Sequence, residues 1–222
     1  MRVLQQFVGQ QVIVEISGNN NCMGKIIDLG LDIMVVVNKQ QFYYIPLVNV
    51  QNVRLNSESR METELISDEM PIDYQEDSLS FRKILNNAKG RFVEIYVTGN
   101  KTIHGYLTSI MNDYFVFYSP VYKAIFVSMN HLKWLIPYHA HLTPYSLNNQ
   151  SLPLNPINVS LSRTFEGQCE KLKGNLVVFD FGDNTKKIGL LHKVENGSVE
   201  LINANGDKVI WNLQHLKTVY TP

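Results

Sequence analysis

Glycine recurs in this chain as three pairs with a single spacing. Gly9 and Gly24 stand 15 residues apart, as do Gly90 and Gly105, and Gly174 and Gly189. A period of this kind constrains the fold more than any other feature, because each copy must then be one supersecondary unit repeated along the chain. The residues around the glycines give the unit its content. Short apolar-patterned stretches precede the first glycine of each pair, at residues 3–8, 81–85 and 165–172. Each predicts a short helix closed by a glycine in the left-handed conformation that a Cβ disfavours.

A run rich in β-branched and aromatic residues follows each time: Val12-Ile13-Val14-Glu15-Ile16, residues 92–97 and residues 176–181. Such composition suits a pleated, half-buried surface and predicts a strand. Polar turns come next, at Gly18-Asn19-Asn20-Asn21, Gly99-Asn100-Lys101 and Gly182-Asp183-Asn184. Glycine and asparagine supply the positive φ that tight hairpins need. The second glycine of each pair falls inside the following strand, where it predicts a bulge, a bend or a close backbone approach. Third strands are expected at residues 33–37, 114–118 and 198–202.

The three copies end alike. Residues 44–53, 126–135 and 210–219 align without a gap, so Ile45, Val127 and Trp211 correspond, as do Val50, Leu132 and Leu216. This predicts a fourth strand, one tight turn and a short fifth strand. The expected architecture is all-β, with three tandem five-stranded units of about 55 residues, each marginal as an independent core. The first spans 1–55, the second 81–138 and the third 163–222.

The joins differ in kind. Residues 56–80 hold Glu58, Glu62, Glu64, Asp68, Glu69, Asp73, Glu76 and Asp77 against Arg60 alone, which predicts a flexible or loosely docked acidic linker. Residues 139–162 hold no acid and contain Pro144, Pro153 and Pro156, which predicts a stiffer extended connector. The second unit is basic, with Arg82, Lys83, Lys89, Arg91, Lys101, Lys123 and Lys133 against Glu94 and Asp113. The acidic linker is a natural partner for it.

Most chemical classes find no support. The formal net charge is zero, so no uniform drive towards nucleic acid or an anionic membrane exists. No apolar run reaches the roughly 18 residues that span a bilayer, and the N-terminus lacks the organisation of a signal peptide. Synthesis in a cytoplasm is the expectation. Cys22 and Cys169 have no CxxC or Cys/His companions, so neither a disulfide framework nor a zinc site is expected. His131 and His215 occupy equivalent positions, but the first unit has Asn49 there, so a backbone hydrogen-bonding role outweighs a catalytic one. His139 and His141 lack a companion ligand in sequence, and His104 and His192 are isolated. No nucleophile elbow, phosphate loop or dinucleotide fingerprint is present. The carboxylates crowd into a linker, where burial cannot shift their pKa values. No catalytic, cofactor-binding or metal-binding residue is nominated, and no small-molecule substrate is implied. The aromatic runs Phe42-Tyr43-Tyr44 and Tyr114-Phe115-Val116-Phe117-Tyr118 leave a nucleic-acid reading open, with bases stacking on one strand face. Lys101, Lys123 and Lys133 would then be the binding residues.

Two family resemblances follow from these motifs. The segments Val12-Ile13-Val14-Glu15-Ile16, Gly24-Lys25-Ile26, Asp32-Ile33-Met34-Val35-Val36 and Tyr44-Ile45-Pro46-Leu47 resemble the Sm/LSm fold, including its bacterial RNA-chaperone branch. That likeness implies that each unit is a small Sm/SH3-like barrel with an N-terminal helix. The lysine-histidine pair of that branch is replaced here by Tyr44-Ile45-Pro46 and Tyr122-Lys123-Ala124. Over nearly the whole chain, three units, an acidic tether and the closing segments His131-Leu132-Lys133 and His215-Leu216-Lys217 look like the amino-terminal region of the Bacillus spore coat protein B family. No serine/lysine-rich stretch like that family's carboxy-terminal tail stands within residues 1–222. This resemblance implies a non-enzymatic structural protein deposited in the spore coat, with other coat proteins and its own copies as partners.

Overall fold

The structure is a computed structural model that describes residues 2–56, 71–72, 79–98, 102–139, 144–146 and 160–222. The described residues form one antiparallel sheet of fifteen strands with three short helices against it. Along the chain come α1 (Arg2–Gln5), β1 (Gln11–Ile16), β2 (Asn20–Leu29), β3 (Ile33–Asn38), β4 (Gln41–Pro46) and β5 (Val50–Leu55). Next are α2 (Phe81–Asn87), β6 (Phe92–Tyr96), β7 (Thr102–Ile110), β8 (Tyr114–Ser119), β9 (Lys123–Ser128) and β10 (Trp134–Pro137). Last are α3 (Phe165–Lys171), β11 (Leu176–Phe179), β12 (Ile188–Glu195), β13 (Ser198–Ile202), β14 (Lys208–Asn212) and β15 (Thr218–Tyr220). A single 3₁₀ turn separates the fourth from the fifth strand in each repeat, as the closing segments predict.

The spatial order is β14-β13-β12-β11-β15-β9-β8-β7-β6-β10-β4-β3-β2-β1-β5. It is one arrangement written three times. In every repeat the fifth strand lies beside the first, and the rest follow in sequence. The fourth strand of one repeat pairs with the fifth strand of the next, with Tyr44 opposite Leu135 and Phe126 opposite Val219. These two pairs occupy the same aligned positions, so both junctions have one register.

The recurrent glycines have separate jobs. Gly9, Gly90 and Gly174 adopt φ of 84°, 77° and 85°. They do not close the helices directly; a turn intervenes. Each instead donates its N–H to the second strand of its repeat, at the carbonyls of Ile26, Leu107 and Leu191. Gly24, Gly105 and Gly189 sit where a Cβ would run into a carbonyl of the neighbouring strand, that of Val37, Tyr118 and Ile202 respectively. Close backbone approach is thus the reason for glycine here. The bend expected nearby is a separate irregularity two to four residues on, between Ile26 and Asp28, Leu107 and Ser109, and Leu191 and Lys193.

One strand end differs from the sequence expectation. The first strand of the third repeat stops at Phe179, because Asp180 turns out of the ladder at φ 49°. Its buried carboxylate accepts from the N–H groups of Lys217 and Thr218, 2.7 and 3.1 Å away, and from Lys187 Nζ. The acidic linker lies mostly outside the described residues. Its described parts dock: Ile72 and Leu79 are both buried in the central core. Most of the proline-containing connector also lies outside them.

Packing follows the sheet order. The core of the first repeat holds Val12, Val14, Ile16, Met34, Val36 and Ile45. The central core takes Ile33, Val35, Val37, Phe42 and Tyr44 from the opposite face of the same strands and joins them to Ile84, Leu85, Val93 and Leu135. The third core likewise recruits Tyr114, Val116 and Phe126 from the second repeat against Phe165, Cys169 and Leu172 of α3 and its C-terminal end. Strands β3 and β8 are therefore buried on both faces, whereas β13 alternates. Marginal repeats gain stability by sharing cores, as stacked repeats must.

Candidate interaction surfaces

Each junction carries the same set of polar contacts besides its shared core. A carboxylate at the start of the third strand receives the first N–H of the next helix. Phe81 N donates to Asp32 Oδ1 at 2.7 Å, and Phe165 N to Asp113 Oδ1 at 2.8 Å. The turn before the fifth strand supplies a second contact. Asn49 Nδ2 donates to the carbonyls of Asn130 and Leu132 at 3.1 and 2.8 Å. His131, one repeat on, places Nε2 2.8 Å from the carbonyl of Gln214. A carbonyl only accepts, so Nε2 carries the proton in this contact. Burial, the largest influence, lowers the His131 pKa below its ordinary value. Asn49 and His131 thus do bind backbone, but across a junction rather than within their own turn.

The third contact comes from lysine. Lys133 reaches back to Ser17 Oγ and to Asn49 Oδ1, the latter at 2.7 Å, and Lys217 reaches back to Thr98 Oγ1 at 2.7 Å. Lys133 is only 8% exposed and these partners are neutral. Burial first, and the charge of Lys217 second, push its pKa down to about 8. An ammonium withdrawn from water without a counter-charge is costly, and the lowered pKa expresses that cost.

The residues considered for nucleic-acid binding separate in the structure. Lys101 lies outside the described residues. Lys123 is exposed at the β8–β9 turn and donates to the carbonyl of Pro120. Lys133 points into the first junction. The aromatic runs are likewise spent on packing: Phe42, Tyr44, Tyr114, Phe115, Val116, Phe117 and Tyr118 are all buried. A separate aromatic group, Tyr122, Phe181 and Tyr220, closes the second junction with ring centroids 5.1–6.2 Å apart.

Both cysteines are free and buried. Burial pushes the Cys22 thiol up to about 12, and the Cys169 thiol is raised as well. Such thiols are poor nucleophiles. Among the described residues no group of three or more His, Cys, Asp or Glu side chains could hold a metal ion. His104 is engaged by the Tyr138 hydroxyl at 2.9 Å and His192 by Glu200 at 2.9 Å, while His141 lies outside the described residues. Among the described residues no helix is long and apolar enough to cross a membrane. A shallow hollow of about 150 Å³ on the outer face of the third repeat is lined by Lys193, Glu195, Ser198, Val199, Glu200 and Ile210.

A family model described as "YwrJ third domain" matches residues 164–219, the span from the cap of α3 to β15. A relative named "Uncharacterized protein YwrJ", from Bacillus subtilis (strain 168), is 46% identical over 226 residues, covering 100% of each chain. The chain belongs to the YwrJ family. The residues matched by the YwrJ third-domain model fall inside the span 163–222.

The sequence reading passed over the junction residues. Asp32 stands there only within the Sm-like run, Asp113 only in the charge balance of the second unit, and Lys133 among the candidate nucleic-acid contacts. A signal was present in the pairing of Asn130-His131-Leu132-Lys133 with Gln214-His215-Leu216-Lys217. One lysine at one register in two repeats, replaced by Gln51 in the first, marks a contact that requires a preceding neighbour.

Proposed function

We propose that the chain is a non-enzymatic structural and assembly protein of the bacterial spore coat, built of three tandem Sm/SH3-like barrels. The observation that carries this reading is the fused sheet itself. Three repeats are joined edge to edge in one register, with Lys133, Lys217, Tyr44 and Phe126 committed to the joins. What such a body offers a partner is surface at fixed spacing. Several weak contacts on one chain raise effective concentration without any one being tight. The strand order and the repeated irregularity in the second strand favour curled barrels, since a bulged strand bends and twists its sheet. The coat assignment rests on the likeness to the coat protein B family. A full-length relative from the genus in which that family occurs is in keeping with it. Other coat proteins are the proposed partners.

The test is fractionation. The protein is expected in the coat extract of purified spores and in complexes with other coat components. Its absence from that extract, together with salt-sensitive binding to single-stranded RNA, would replace this reading with the Sm-like one.

A further inference from the structure

Among the described residues, three repeats joined fourth strand to fifth leave one of each at a sheet edge: β5 at one end and β14 at the other. Their aligned partners meet in a fixed register at both internal junctions. A second copy continuing the series would place Ile210 opposite Val53. Every element of the junction can therefore be checked at the outer ends.

The outgoing face fails first. At the internal junctions the third strand offers Ile33, Val35 and Val37, or Tyr114, Val116 and Tyr118, all buried against the next repeat. The matching positions in β13 are Ser198, Glu200 and Ile202. Glu200, where Val35 and Val116 stand, is paired with Lys208 and His192, each 2.9 Å away. Covering it would strip water from a charge network that the other two junctions lack. Asp32 and Asp113 correspond to Gly197, whose carbonyl likewise receives the N–H that opens the 3₁₀ turn. Gly197 cannot accept a helix N–H through a side chain. Ser17 and Thr98, which receive the lysines, correspond to Gly182.

The incoming face fails independently. Lys133 and Lys217 correspond to Gln51, and the buried Ile136 corresponds to Arg54 on β5. Losing the carboxylate and hydroxyl acceptors at one end and the lysine at the other is the complementary loss expected of capping repeats, whose outer faces turn polar. Charged residues along the two free edges, Lys208 on β14 and Arg54 on β5, guard against strand addition.

We infer that the array is self-terminating: the carboxylate, lysine and apolar-face contacts act as an address between repeats, and their loss at both ends stops β14 of one copy from pairing with β5 of another. The inference rests on the geometry of the junctions and holds whether or not the coat reading does. In that reading it makes the partners of the chain other proteins rather than a polymer of itself.

The experiment uses the full chain with cysteines introduced at opposed positions. Val127→Cys with Thr218→Cys probes an internal junction, and Ile210→Cys with Val53→Cys probes the ends. Under mild oxidation the internal pair is expected to close within one chain. The end pair is expected to stay reduced between copies as concentration rises. The unsubstituted chain should keep a mass of 25.5 kDa in sedimentation equilibrium throughout. The inference would be overturned if the end pair linked different copies as readily as the internal pair closes, while the mass of the unsubstituted chain climbed. A rise in mass without that link would leave the ends unpaired and uphold it.

Discussion

One aligned position has three different surroundings, and truncating it in each repeat reads out the fold. Tyr44 is 1% exposed, Phe126 3% and Ile210 70%, although all three sit at the same place in the fourth strand. Phe126 fills the second junction, edge-on to Tyr114 with ring centroids 6.1 Å apart. Phe126→Ala should cost about 3–5 kcal/mol, the lost transfer energy plus a cavity between two repeats that cannot collapse without breaking the strand pair. Ile210→Ala removes a side chain already in water. It should cost no more than about 1 kcal/mol, mostly lost strand preference. Urea unfolding followed by the fluorescence of Trp134 and Trp211 measures both. Trp134 stacks on Tyr96 at the first junction, and Trp211 packs on the third core. Equal costs for the two substitutions would show that β14 is covered in solution. A cost below about 1 kcal/mol for Phe126→Ala would mean that the second junction is not packed as described.

Other outcomes follow from the same geometry. Gly105→Ala should cost about 2–3 kcal/mol, because its methyl must displace the Tyr118 backbone rather than a mobile side chain; a neutral effect in thermal unfolding would contradict the close approach. The pKa of Lys133 falls from 10.5 to about 8 on folding, so the folded chain holds fewer protons between those values. Stability should therefore rise as pH climbs from about 8 towards 10.5, relieving a penalty of at most about 3 kcal/mol that is fully present below 8. Lys133→Met should flatten that rise, and an unchanged pH slope in its urea midpoint would refute the buried charge. Cys22 and Cys169 should resist a thiol reagent in the native protein and react promptly once unfolded; rapid native labelling of either would contradict their burial.

The secondary structure was largely legible in the sequence, because glycine spacing, turn residues and β-branched runs are local signals. The strands at residues 33–37, 114–118 and 198–202 all appear where composition places them. The way the repeats join was legible too, but in a pattern easily read as mere hydrophobicity. Ile33-Met34-Val35-Val36-Val37 is an unbroken apolar run, the mark of a strand covered on both faces, while Ser198-Val199-Glu200-Leu201-Ile202 alternates and so has one wet face. That difference separates the strands covered by a following repeat, β3 and β8, from β13. Lys133 could not be placed from sequence alone. A lysine beside a strand is ordinarily solvated, and only the register between repeats aims it at Ser17 and Asn49. Asp180 was hidden for a similar reason: the N–H donors it accepts from, on Lys217 and Thr218, are distant in sequence and meet it only through the β11–β15 pairing.

The proposed role in the spore coat is most directly tested by following a fluorescent fusion of the full chain in its source organism from growth through sporulation. The account predicts a signal that gathers into a shell around the developing spore and persists on the released spore. A signal that stays diffuse in the cell throughout sporulation would contradict it.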